Sequence, residues 1–405
     1  MRTRYGVSPW LLQFPDSRRP SYPKATGEAA ADVVIIGAGL TGCTTAYVCA
    51  AAGLNVRVLE AQRVGHGASG RSGGLLLPEP GPAFRDLAGA HGVRIARSAF
   101  ESWRKAALDG AALLRRLGIK AGLEPYALVT IATADGERLL RRENDAREEA
   151  GLDVAWLGRK PLQRATGLDA PAALKVGDAF ALDPYRATVG LAQAAAKRGA
   201  KFFEQSRVRK VRFSRKDAEV TTGDATVRTT AVVVTTGSAP AEFKQLRRHF
   251  AHKETYLTLT EPLSAAMKKA AMRTGVIVGD TRAPRHHLRA TSDGRLLIVG
   301  ADQRETPERN RKAVLVQRTG QLMYEALLTY PVIAGLRPEF GWEAAYAEPA
   351  DGLPYIGAHR NFPHHLFALG GSGDSVTGAF LAARIILRAV QGVPAKEDAV
   401  FSWNR

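Results

Sequence analysis

Residues 31–62 read ADVVIIGAGLTGCTTAYVCAAAGLNVRVLEAQ, and no other stretch narrows the possible folds as much. Residues 33–36 are a short apolar, β-branched run of the kind that forms a buried parallel strand. Gly37-Ala38-Gly39-Leu40-Thr41-Gly42 follows at once. Residues 44–52 have helical composition, and Gly53 stands where such a helix would stop. Residues 56–59 form a second strand that ends in Glu60, 18 residues after Gly42, with Ala61 next. A lone GxGxxG says little. One that leaves a strand, opens a helix and meets an acid at this spacing is the dinucleotide-binding fingerprint. Gly37 allows the tight turn, Gly39 lets the backbone approach a pyrophosphate, and Gly42 lets helix pack on strand. The helix N-terminus offers N–H groups and a positive dipole end to phosphate, and Glu60 can accept hydrogen bonds from a ribose hydroxyl.

A second cluster decides between dinucleotides. Residues 65–74 read GHGASGRSGG: five of the ten are glycine, and Arg71 carries the only full charge. Glycine weakens helices and strands and costs folding entropy. A run of it implies that something comes close to the backbone. A flat tricyclic ring lying along the chain suits that better than a nicotinamide does. Gly67, Ala68, Ser69, Arg71, Ser72, Gly73 and Gly74 are therefore expected to line a flavin site, with Arg71 countering charge there.

The pattern E-A-x-x-x-G-x-G-A-S-G-R-S-G-G after GxGxxG resembles the D-amino-acid oxidase-like superfamily of FAD-dependent oxidoreductases, which includes glycine, sarcosine and γ-glutamylputrescine oxidases. The resemblance runs from about Ala31 to Gly392. It implies an α/β chain: a Rossmann-like FAD-binding domain with an inserted α+β substrate domain built on an antiparallel sheet. The flavin domain is expected to take residues 1–118, 183–238 and 342–405, and the substrate domain 119–182 and 239–341. Helices are expected over 84–118, 135–150 and 188–198, and 256–341 alternates and reads as β-rich. The turn at 292–294 should join two antiparallel strands.

Further cofactor contacts follow from the resemblance. In relatives the position of Val208 touches the adenine through its backbone, and the Thr236-Gly237 strand end meets the FAD; Val208 reads equally well as plain core. Residues 366–390, LFALGGSGDSVTGAFLAARIILRAV, carry a glycine turn that relatives place beside the pyrimidine end of the flavin. Gly371, Gly373, Asp374 and Ser375 are the candidates, and a helix N-terminus there would stabilise a reduced, anionic ring. Asp374 replaces the His or Asn of many relatives. It either caps the helix or faces a cationic substrate nitrogen. No Cys or His stands at the attachment positions of relatives with covalent flavin, and Arg71 takes the place of one such His. FAD is thus expected to be non-covalent.

The resemblance implies oxidation of a C–N bond in a small amine or amino acid. Hydride leaves the carbon next to nitrogen for flavin N5, and the imine hydrolyses. The flavin supplies the chemistry and the protein positions the carbon. A substrate carboxylate would be held by Arg: Arg289 or Arg304, with His286 and His287 near by. Arg289, His287 and Asp374 are the candidate catalytic residues on the substrate side. Relatives of the sarcosine type carry a Lys before the glycine of LLIVG. Ile298 or a neighbour on that strand stands there, and the electron acceptor is oxygen or another carrier. Members that modify tRNA bases, and a flavin-binding protein without turnover, are the alternative readings.

Composition bears on these alternatives. The chain has 405 residues, 45% of them hydrophobic and 24% charged, with a net charge of +18. Its basic residues are scattered, with no dense stripe and no interleaved aromatics, so a nucleic-acid partner is not expected. No apolar run approaches the roughly 20 residues of a membrane span. The first 24 residues read as a proline-rich leader strapped over the surface, without the apolar segment of a signal peptide. Cys43 and Cys49, six apart in one helix, suit neither a disulfide nor a metal site. Reduced thiols point to the cytoplasm.

Overall fold

A computed structural model describes residues 2–133, 136–271, 275–282, 285–373 and 375–405. The strand Gly27–Ile36 lies where its β-branched run requires, between Val56–Leu59 and Ala225–Gly237 and parallel to both. Lys201–Phe203 continues this sheet beyond Val56–Leu59, and Phe362–Leu369 continues it beyond Ala225–Gly237, again in parallel. Tyr355–His359 closes one edge antiparallel, and Lys210–Phe213 and Ala218–Thr221 add an antiparallel flap, making eight strands. Val33, Val34 and Ile35 are fully buried, as expected for a central strand covered on both faces. On one face the helix Leu40–Ala51 packs against Pro184–Lys197 and Thr377–Val390.

A second sheet has ten strands. At its centre Phe250–Thr260 pairs antiparallel with both Pro338–Pro349 and Leu296–Arg304. Leu296–Arg304 pairs with His287–Ala290 through the expected turn, where Gly294 N–H donates to the Thr291 carbonyl. Val276–Asp280, Glu124–Ile131 and Ala172–Ala181 extend it, with Val276–Asp280 and Glu124–Ile131 parallel.

Several elements differ from the sequence reading. The helix expected over 84–118 is two, Phe84–His91 and Val93–Arg116, broken at Gly92, whose φ of 86° a helix cannot hold. Residues 225–237 form one continuous strand, Ala225–Gly237. The β-rich stretch 256–341 contains the helix Arg311–Thr329, which buries Leu315, Thr319, Leu322 and Ala326 at helical spacing. The first residues are strapped onto the rest of the chain, in line with the sequence reading. Arg4–Tyr5 pairs with Phe340 and Gly341, the Trp10 indole donates to the Ser72 carbonyl at 2.9 Å, and Phe14 packs on Tyr185. Leu75–Leu76 and Arg4–Tyr5 both join the ten-stranded sheet although they lie within 1–118, and Pro338–Pro349 runs across position 341.

Candidate active site

The Gly37–Gly42 turn is held by its own crowding. A Cβ on Gly42 would lie 1.9 Å from the Gly37 carbonyl oxygen, and one on Gly39 would lie 3.0 Å from Ser69 Oγ. Gly37 has a φ of 102°. Leu40 N–H donates to Ser69 Oγ at 2.8 Å, so the first turn of the helix is tied to the second glycine loop. Glu60 accepts from Ala38 N–H at 2.7 Å and from Gln62 N–H at 2.8 Å, which fixes its carboxylate beside the turn; Ala61 lies between. Thr235, which the sequence reading passed over for Thr236, does the anchoring on the far side. Its hydroxyl donates to the Ile36 and Gly37 carbonyls, both at 3.0 Å. Thr236 is exposed and bonds the Ser238 carbonyl, while Gly237 accepts from Gly370 N–H at 2.9 Å. Val208 is buried in the core with Val34 and Leu59, and Ser206 N–H donates to the Glu60 carbonyl at 2.7 Å, which brings residues 206–208 to the end of the Val56–Leu59 strand.

Within residues 65–74, Gly65 and Gly74 are crowded by distant chain and Gly70 by its own loop. A Cβ on Gly65 would meet the Tyr185 ring at 2.9 Å, on Gly70 the Gly65 carbonyl at 2.5 Å, and on Gly74 the Leu182 carbonyl at 2.1 Å. Gly67 faces open space, and Gly73 is buried. Arg71 does not stand alone. Its guanidinium is 3.2 Å from Glu343 Oε1, and its carbonyl accepts from the Trp342 indole at 2.7 Å.

Two cavities meet beside these loops. The smaller, about 140 Å³, is lined by Leu40, Thr41, Ala68, Ser69, Ser72 and the Gly370–Gly373 turn. The larger, about 850 Å³, lies against the ten-stranded sheet. Tyr346, Gly371, Ser372 and Ser375 line both. Gly373 is required there, since a Cβ would lie 2.3 Å from Thr255 Cγ2, and Ser375 forms a parallel bridge with Leu75. Asp374 lies outside the described residues.

The candidates expected to hold a substrate are redistributed. His287 lines the larger cavity. Arg289 does not: it is buried with its guanidinium 5.9 Å from the Tyr126 ring centroid, and burial pushes its pKa down. Arg304 is exposed at its strand end. His286 is turned to two carboxylates, Asp280 at 3.3 Å and Glu325 at 2.7 Å. The cations that do line the cavity are Arg85, Arg147, Lys253, Arg282 and Arg285.

The outer wall is an ion network that sequence reasoning missed. Arg147 donates to Glu79 at 2.6 Å and to Glu143 at 2.7 Å, all three buried. Glu143 also accepts from Phe84 N–H at 2.7 Å and Arg85 N–H at 3.1 Å, capping the helix Phe84–His91 from another element. Burial raises the Glu79 carboxyl, but Arg147 and Arg285 overcome it and hold the group below the usual range. At the rim Arg405 grips Asp351 at 2.6 and 2.8 Å. Arg147 and Glu143 are an i,i+4 pair on one helix, but Glu79 stands 68 positions from Arg147, which no short spacing reveals.

Residues 32–389 match the family described as FAD dependent oxidoreductase (DAO). The chain belongs to that family. It is an FAD-dependent oxidoreductase. It is similar to the probable oxidoreductase OrdL of Haemophilus influenzae, 27% identical over 93% of this chain and 87% of that protein. It is also similar to the γ-glutamylputrescine oxidoreductase of Escherichia coli, 25% identical over 91% of this chain and 85% of the relative. The glycine oxidase structure from Geobacillus kaustophilus superposes with a TM-score of 0.76 at 20% identity, covering 93% of this chain and 99% of that one, and shares its fold. Among the described residues no helix of this oxidoreductase is long and apolar enough to cross a membrane.

Proposed function

We propose that this oxidoreductase oxidises the C–N bond of a small amine or amino acid. The observation that carries the reading is the junction of the two cavities at Tyr346, Gly371, Ser372 and Ser375. One side is built from the dinucleotide fingerprint, and the other is a chamber lined by both signs of charge. When bound, FAD supplies the two-electron acceptor. The N-terminus of the helix Leu40–Ala51 would face its pyrophosphate and Glu60 its ribose. That a Cβ on Gly39 or Gly42 would fill the turn supports this fit. The protein's remaining task is to bind the amine in the chamber and present its α-carbon at the junction. Loss of hydrogen from that carbon leaves an imine, which water hydrolyses.

The FAD in this reading is non-covalent, because both cysteines are buried in the helix Leu40–Ala51 and neither lines a cavity. The reoxidant is oxygen or another carrier, and the thiols of Cys43 and Cys49 suit the cytoplasm. Anaerobic mixing of the holoenzyme with a panel of primary amines, secondary amines and amino acids tests the reaction. At least one should bleach the flavin band. A flavin that dithionite bleaches and no amine does overturns the reading.

A further inference from the structure

The helix Arg311–Thr329 is apolar on two sides. Leu315, Thr319, Leu322 and Ala326 are buried, and the leucines pack with Tyr256, Leu296 and Ile298 of the ten-stranded sheet. On the opposite side Val316, Gly320, Tyr324 and Leu328 follow one another at i,i+4 spacing, about 18 Å along the axis. Val316 is 44% exposed, and Tyr324 and Leu328 are each 61% exposed. Ala313 is exposed on the same side, Met323 and Leu327 are half-buried along it, and exposed Val332 continues it beyond the helix end. Gln317 is set into this face. Other polar groups of the helix are turned to one flank: Arg318 donates to Gln303 at 3.0 Å and Gln321 to Glu325 at 2.9 Å. A water-facing helix carries polar residues opposite the core. Single exposed apolar side chains are ordinary, but a continuous row of them marks a surface that something covers.

The charges at the two ends of the row say what covers it. Arg309 and Lys312 are exposed at its start. Arg337, Lys268 and Lys269 are exposed at its end, where the helix Ala265–Ala271 packs on Pro331–Ile333. The carboxylates near by are engaged. Glu308 holds Arg311 at 2.7 Å, Asp293 holds Arg295 at 2.9 Å, and Glu261 accepts from Arg337 N–H at 3.1 Å. Glu305 stands beside the exposed Arg304. Both ends are therefore basic, and a second copy laid on this face in either direction would set like charges together. An anionic lipid surface meets both parts at once. Apolar side chains enter it, the Tyr324 ring suits the boundary between apolar and wet layers, and long basic side chains reach the phosphates. The net charge of +18 draws the whole molecule toward such a surface.

We infer that the outer face of the helix Arg311–Thr329 docks this oxidoreductase on an anionic phospholipid surface, as a peripheral contact. The docking face lies behind the sheet. Thr255 and Val299 line the larger cavity, while Tyr256 and Ile298, next to them in the same strands, point to the helix. Docking leaves the chamber on the far side of the sheet, and its loss should not touch the flavin.

Holoenzyme is sedimented with vesicles of phosphatidylcholine alone and of phosphatidylcholine mixed with phosphatidylglycerol. Binding to the mixed vesicles should be at least about tenfold tighter than to the neutral ones. It should weaken as salt rises to about 1 M, where the screening length falls to roughly 3 Å. Tyr324→Ser/Leu328→Ser should lose at least about tenfold in affinity for the mixed vesicles. It should keep its FAD, flavin spectrum and melting temperature, since both side chains are exposed. Lys268→Gln/Lys269→Gln/Lys312→Gln should lose the preference for phosphatidylglycerol. An environment-sensitive fluorophore attached to the Leu328→Cys protein should shift to the blue on the mixed vesicles; Cys43 and Cys49 are buried and do not compete for the label. A wild-type holoenzyme that stays in solution with the mixed vesicles overturns the docking. So does a Tyr324→Ser/Leu328→Ser protein that binds them as wild type does, which would assign the attraction to net charge alone. A concentration-dependent dimer that the same double variant abolishes overturns it in favour of a second copy.

Discussion

The glycines of the 37–42 turn and those of the 65–74 loop share a composition and differ in what crowds them. In the turn, a Cβ on Gly42 would strike Gly37, five residues back, and one on Gly37 would lie 3.1 Å from the Thr235 carbonyl. The crowding is local to the motif and its neighbouring strand, so it comes wherever the motif comes. In the loop, Gly65 and Gly74 meet Tyr185 and the Leu182 carbonyl, more than a hundred positions along the chain. The loop was expected to be bare so that a flavin could approach. At Gly65, Gly70 and Gly74 the chain itself makes the approach. A glycine cluster therefore announces close contact without naming the contacting partner, and the two clusters should fail differently when filled.

The largest effect belongs to the turn. Gly42→Ala puts a methyl 1.9 Å from a backbone oxygen that cannot step aside without opening the turn. We expect a protein purified without its yellow colour, and FAD affinity lowered at least a hundredfold on titration of the apo-protein. Gly67→Ala, with nothing within 4 Å of its Cβ, should bind FAD as wild type does. Loss of FAD from both variants would mean that any side chain in either cluster is excluded, and the contrast would collapse.

Gly74→Ala comes next. It combines a clash at 2.1 Å with a φ of 67°. Overpacking and left-handed strain each cost about 1–3 kcal/mol, so a loss of about 2–6 kcal/mol is expected. The loss should be as large in apo-protein as in holo-protein, because the clash is with Leu182. Urea unfolding of both forms measures it. An apo-protein of unchanged stability with weakened FAD binding would return Gly74 to the cofactor.

How much of this was readable beforehand follows from the same contrast. The eight-stranded sheet rests on short-range signals: a β-branched run, a glycine turn, a helix and an acid within residues 31–62. The larger cavity rests on none. Its wall takes Glu79 from a proline turn, Arg147 from a helix, Lys253 and Tyr346 from neighbouring strands and Asp302 from a bulge, and only the folded register brings them together. Arg289 was a fair candidate by residue type, since arginine suits a carboxylate, but burial against Tyr126 took it out of the chamber. The helix Arg311–Thr329 was hidden for another reason. Val314 and Val316 are β-branched and favour strands, and the buried Leu315–Thr319–Leu322–Ala326 stripe includes a threonine that periodicity counts as polar.

The segment that crowds the second loop can be loosened by pH. Asp183 follows Leu182 and caps the helix Pro184–Lys197, accepting from Arg186 N–H at 2.9 Å. Burial raises its carboxyl to about 6 from 3.8, and the bonds from Arg186 only partly offset that. A folded-state pKa above the unfolded one means that the native state holds the proton longer. The resulting stabilisation is complete below about pH 3.8 and is lost as pH rises through about 6. Its size is on the order of 3 kcal/mol. Asp183→Asn keeps an acceptor for the helix N-terminus and removes the titration. Unfolding free energies taken from pH 4 to pH 8 should therefore fall less steeply with pH in the variant. Parallel curves would show that the buried carboxylate is compensated at neutral pH, and that the Leu182 contact on Gly74 is not held through this cap.

Arg71 gives the smallest effect, and it tests whether any part of the loop serves the cofactor by charge. A guanidinium bonded to a flavin would be worth a charge-assisted hydrogen bond, about 1.5–3 kcal/mol, or roughly ten- to a hundred-fold in affinity. The structure instead pairs Arg71 with Glu343, and the arginine side chain is 35% exposed. Pairs of that kind contribute about 0–1 kcal/mol. Arg71→Ala should then change FAD affinity less than about fivefold. It leaves Glu343 without its partner, and that carboxylate is only 14% exposed. The protein should consequently be less stable as Arg71→Ala than as the double variant Arg71→Ala/Glu343→Gln, in which no buried charge is stranded. FAD titration and thermal unfolding of the two variants separate the roles. If Arg71→Ala loses tenfold or more in FAD affinity and the double variant loses as much, the guanidinium reaches the cofactor and Glu343 serves to aim it. If instead Glu343→Gln restores what Arg71→Ala lost, the pair is a structural tie between the loop and the strand Pro338–Pro349, and the loop meets the cofactor through its backbone.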